Sequence, residues 1–71
     1  MNYNYNKLIG RIIEIFGTRQ AFADAMGFSM RTLGLKLHNK RAWKQPEMEK
    51  AIELLNEPLD NIQLYFFDNQ V

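Results

Sequence analysis

The chain has 71 residues, of which 46 % are apolar, and its nine Lys/Arg against eight Asp/Glu leave a formal charge of +1. This length allows one small domain spanning residues 1–71 and leaves no room to enclose a sizeable substrate pocket, while the absence of cysteine excludes disulfides, thiolate nucleophiles and cysteine-based zinc sites. No apolar run approaches a membrane span and the opening MNYNYNK has no signal-peptide core, so a soluble protein of the cell interior is expected, and the near-neutral charge excludes a strong overall pull on nucleic acid.

The first residues alternate Asn and Tyr, carry no helical period and are expected to be loosely ordered. From about Asn6 the apolar positions Leu8, Ile9, Ile12, Ile13 and Phe16 fall at helical spacing, and Gly17 ends that helix. Thr18 is a good cap for a second, short helix with Phe22, Ala23 and Met26 on one face. Gly27 follows where the chain must turn sharply, because glycine takes positive φ at no steric cost. Ser29 caps a third helix whose inward residues are expected to be Met30, Leu33 and Leu37. The segment His38 to Gln45 reads as a loop. Pro46 suits the first turn of a fourth helix, where Glu47 and Glu49 complement the dipole and Met48, Ile52 and Leu55 line one face. Asn56 can end it. After Pro58, the residues Leu59, Ile62, Tyr65 and Phe66 suggest a last short helix with an aromatic end.

Five helices and no convincing strand define an all-α domain, with Phe16, Phe22, Met26, Leu33, Leu37, Met48, Ile52 and Ile62 expected in one core. Within it, TRQAFADAMGFSMRTLGLKLHNKR, residues 18–41, reads as a helix-turn-helix unit, the motif itself covering about 18–38. Such a motif places its second helix in a DNA major groove. The positions Gln20, Ala23, Gly27, Ser29, Leu33 and Leu37, and the Asn39-Lys40-Arg41 loop after the second motif helix, resemble the compact five-helix, lambda-repressor-like domain of phage repressors and Cro-type regulators. More narrowly, NYNKLIGRI and LGLKLHNKRAWKQPE resemble the modulator-of-repression family of lactococcal temperate phages, and this likeness covers nearly the whole chain. It implies a role in the lytic–lysogenic decision as an anti-repressor, with the phage repressor as partner and the cytoplasm of the bacterial host as location.

The residues of the second motif helix bear on how that role is carried out. At about 100° per residue, Arg31, Leu35 and His38 lie opposite Leu33 and Leu37, with Gly34 at the edge. A groove-reading helix needs donors and acceptors there, because base edges are donors and acceptors. Arg31 meets that demand; Leu35 does not, and Phe28 and Met30 add apolar area. An apolar centre ringed by cations, with Lys36 at its edge, matches a protein interface with a polar rim. Protein docking is therefore the first reading of Phe28, Met30, Arg31, Gly34, Leu35, Lys36 and His38, in competition with the operator for the repressor's DNA-binding domain. Direct operator binding as a Cro-like dimer, alone or in a joint complex with the repressor, is the second, and Leu35 as ordinary core is the third. Gln20, Lys40, Arg41 and Lys44 are candidate phosphate or rim contacts, although a solvated face is the ordinary state of any one of them. Gly34 should cost its helix about 1 kcal/mol relative to alanine, which a partner's close approach or packing against the preceding helix would explain. Trp43 is expected to cover the fourth helix as core, and His38 to sit at a helix end. With a single histidine and dispersed carboxylates the residues assemble no catalytic group, no metal site and no cofactor or small-molecule site, so no enzymatic activity is expected.

Overall fold

A computed structural model describes residues 2–68. Five α-helices follow in order, α1 (Asn6–Phe16), α2 (Arg19–Met26), α3 (Met30–Leu37), α4 (Gln45–Leu54) and α5 (Ile62–Phe66), the last entered through a 3₁₀ turn at Leu59–Asn61. The boundaries have chemical causes. The Thr18 side chain accepts from the Ala21 N–H at 3.1 Å, and the Ser29 side chain accepts from the Thr32 N–H at 3.0 Å, so α2 and α3 each open on a satisfied donor. Between them Gly27 adopts φ +80° and its N–H returns to the carbonyl of Asp24 at 3.2 Å, which closes α2 and swings the chain into α3. Pro46 sits in the first turn of α4, as its missing N–H permits.

The core is continuous across all five helices. Leu8 and Ile12 of α1, Phe22, Ala23 and Met26 of α2, Leu33 and Leu37 of α3, Ala51 and Ile52 of α4, Leu55 just beyond it, and Phe66 of α5 are buried together with Trp43. Phe16, Met48 and Ile62 pack against this cluster while remaining half-buried. Helix α1 lies against α2 and α5, and α4 bridges α2 and α5. Arg11 ties the open end of this arrangement: its Nε donates to the Leu55 carbonyl at 3.1 Å and lies 2.9 Å from the Glu57 carboxylate.

Two expectations need correction. The opening residues are packed, because alternation at period two puts Tyr3 and Tyr5 on one side of an extended segment. Tyr5 is buried in the core, and the Tyr3 ring meets Phe67 edge-on at 5.6 Å. The backbone is fixed as well: the Tyr3 N–H donates to Asn39 Oδ1 and Asn39 Nδ2 donates to the Tyr3 carbonyl, both at 2.9 Å, while the Asn4 N–H donates to the Asp68 carbonyl at 2.7 Å. Met30, expected inward, is 41 % exposed. Helix α3 is rotated so that Lys36, rather than Met30, borders Leu33 and Leu37 on the buried side.

Candidate functional site

The helix-turn-helix arrangement leaves one side of α3 uncovered. Met30, Arg31, Gly34, Leu35 and His38, joined by Lys40 from the following loop, line a shallow groove along that side. A second concavity shares Met30, Gly34 and His38 and continues across Leu33 and Leu37 to Ile9 of α1 and Arg19 of α2. Leu35 is half-buried, yet neither it nor Met30 belongs to the packed core or to the partly buried residues resting on it. Leu35 as ordinary core is thereby removed. Gly34 forms the floor between them: a Cβ placed on it would meet nothing within 4 Å, so packing against α2 does not require the glycine. His38 is exposed at the C-terminal end of α3, where a cationic imidazole would complement the dipole.

The chain leaves α3 through Asn39, whose φ of +62° lies in the left-handed region that Asn tolerates better than most residues. The Leu35 carbonyl accepts from the N–H groups of Lys40 at 2.8 Å and Arg41 at 3.2 Å, which folds the loop back over the helix end. Lys40 is thus delivered to the groove rim. Arg31, Lys40, Arg41 and Lys44 are exposed and form no ion pair among the described residues. Gln20 is exposed on α2 and its amide donates to Asp24 Oδ1 at 2.9 Å.

Two residues expected on this face are elsewhere. Lys36 is only 3 % exposed, because its Nζ donates to the Ala42 carbonyl at 2.9 Å and to Glu47 Oε1 at 2.8 Å and lies over the rings of Phe28 and Trp43. A lysine satisfied internally offers nothing to a partner's rim or to a phosphate. Phe28 is half-buried with its ring 6.0 Å from Trp43, so it extends the core under α3 and contributes little to the outer face. Trp43 is buried, as its loop position between two helices suggested.

Sequence reading missed Arg19 and Ile9, which line the adjoining concavity from neighbouring helices. The signal for Arg19 was its place directly after the Thr18 cap, since the first turn of α2 in this motif runs beside α3. Chemically, the face has an apolar centre of Met30, Gly34 and Leu35 and cations at its edges, with Arg31 as the outward donor suited to a base or a carboxylate.

A family model described as "Protein of unknown function (DUF739)" matches residues 1–69. Among solved structures, the solution structure of the modulator of repression (MOR) of the temperate bacteriophage TP901-1 from Lactococcus lactis is similar at 45 % sequence identity and a TM-score of 0.82, over 100 % of this chain and 96 % of that one. No protein of curated function matches.

Proposed function

The chain belongs to the DUF739 family, and from that membership and its full-length likeness to a phage modulator of repression we propose that it regulates the lytic–lysogenic switch of a temperate phage by binding the phage repressor. The contact proposed is with the repressor's DNA-binding domain, and the consequence is altered operator occupancy in the cytoplasm of the bacterial host. The observation that carries this reading is the exposed apolar centre of α3. Met30 and Leu35 stand clear of the core around the open floor at Gly34, where a base-reading helix would present polar groups. Docking requires no chemical step and no cofactor; it requires a shared surface and enough affinity to compete with DNA. Mixing the purified chain with its cognate repressor, then measuring association and operator occupancy, tests it: complex formation that changes occupancy is the expected result, and two proteins that ignore each other overturn it.

A Cro-like reading, in which the chain binds operator directly, rests on the exposed Arg31, Lys40, Arg41 and Lys44 about the same helix. These can hold phosphates, but only Arg31 is on the outward face in a position to read a base edge.

A further inference from the structure

The charges of this molecule are segregated along the chain. Arg31, Lys36, Lys40, Arg41, Lys44 and Lys50 fall in the middle, whereas beyond Lys50 come Glu53, Glu57, Asp60 and Asp68 with no further Lys or Arg. The acidic part also carries uncovered apolar surface. Among the described residues, Leu59 (60 % exposed), Leu64 (44 %) and Phe67 (40 %) are three of the five large hydrophobics that remain exposed, the others being Ile13 and Met30.

The spacing of Asp60, Gln63, Leu64 and Phe67 puts them on one side of the 3₁₀ turn and α5, and with Asp68 they line a single shallow groove. Neither exposed ring nor leucine is needed inside. Phe66 supplies the aromatic anchor against Trp43 at 4.9 Å, and Phe67 only rests edge-on against Tyr3. The result is an apolar centre flanked by the carboxylates of Asp60 and Asp68, of which Asp68 is paired with Lys7 at 3.5 Å and Asp60 forms no ion pair among the described residues.

We propose that this face is a second docking surface, and that its occupant is the basic, phosphate-contacting surface of the repressor's DNA-binding domain. The inference rests on the reading that the repressor is the partner. A surface that neutralises phosphates carries Lys and Arg by necessity. At the groove of Leu64 and Phe67 the unpaired charge is the Asp60 carboxylate, of opposite sign, and the groove offers apolar area for the stems of those lysines and arginines. The Asp60 carboxylate would then occupy a position that a phosphate occupies on DNA.

The test is the affinity of the full chain for the purified cognate repressor at low and high salt, for the parent, Leu64→Lys and Asp60→Lys, with circular dichroism melting to verify folding. Both positions are exposed, and Leu64→Gln serves if the lysine variant melts early. The expected result is about a tenfold loss for Leu64→Lys, and for Asp60→Lys a smaller loss with a flatter dependence of affinity on salt. Unchanged binding by the folded variants, with Leu35→Asp still defective, overturns this surface and leaves the repressor reading standing. A parent chain that fails to associate overturns both. Self-association that Leu64→Lys abolishes without altering repressor binding assigns the face to a second copy and overturns the proposal.

Discussion

Lys36 Nζ lies 2.8 Å from Glu47 Oε1 and holds the third helix to the start of the fourth from within the protein. The two partners are unequally buried, the lysine side chain being 4 % exposed and the glutamate 22 %. The pair is therefore asymmetric in what each deletion leaves behind.

Glu47→Ala should destabilise the protein by about 3 kcal/mol, because it strands a buried ammonium with the Ala42 carbonyl as its remaining acceptor. Lys36→Met should cost about 1 kcal/mol or less, since an apolar chain fits against Phe28 and Trp43 and the orphaned carboxylate is reached by water. Urea unfolding of the two variants gives the order, and equal losses would show that the pair is solvated.

The same pair sets a pH dependence. Burial pushes the Glu47 carboxyl up, but hydrogen bonds from Lys36 and from the Lys44 N–H, with the charges of both lysines, outweigh it and hold the group below its ordinary value of 4.5. A carboxyl depressed in the folded state contributes stability that is full above that ordinary value and lost as pH falls through the lower, folded one. Melting temperature should therefore drop more steeply below about pH 4.5 in the parent than in Glu47→Gln. Parallel curves would mean that other carboxylates dominate acid unfolding.

Gly34→Ala separates folding from binding. With nothing within 4 Å of the added methyl, the substitution should stabilise the helix by about 1 kcal/mol through propensity alone. The methyl raises the groove floor, so repressor affinity should fall while melting temperature rises. A more stable variant that binds as before would place the partner away from this floor.

Leu35→Asp should fold, since Leu35 is outside the packed core, and should lose the repressor complex, because a carboxylate replaces the apolar centre on which docking rests. Normal binding by the folded variant would move the interface off this face of α3.

DNA binding by the isolated chain should be weak and non-specific at physiological salt. The near-neutral net charge gives little overall pull on DNA, and Lys36, withdrawn into the core, adds no phosphate contact to those open to Arg31, Lys40, Arg41 and Lys44. An electrophoretic mobility assay with the phage promoter region measures this; tight, specific retardation by the chain alone would favour the Cro-like reading.

The helices and their ends were legible in the sequence because local chemistry decides them. Thr18, Gly27 and Ser29 act where they stand, and the apolar period of α1 is unambiguous. Lys36 was not legible as a buried residue. Its partners, Ala42 and Glu47, lie beyond the helix end, and a charged residue at that position reads as solvated until the loop is seen to fold back. Tyr3 and Tyr5 are illegible for a different reason: their alternation is a strand-type signal of period two, confined to a few residues and invisible to helical spacing. The apolar centre of α3 was visible as a mismatch between motif and chemistry, but Phe28 was assigned to it when Trp43 in fact draws that ring inward.

The Asn4–Asp68 hydrogen bond makes the described chain nearly a closed loop, with Asn39 pinning the same segment from its midpoint. The helices and their caps are built from neighbours in sequence, whereas this closure joins residues separated by most of the chain and must meet the entropy of bringing them together. The arm is accordingly expected to dock after the helices have assembled, and to be the first part released when the protein loosens. The adjacency also makes the fold suited to circular permutation. A short linker from Asp68 to Asn2, with new ends opened at the turn between α1 and α2, would keep Tyr3 and every helix while removing the arm's freedom to detach.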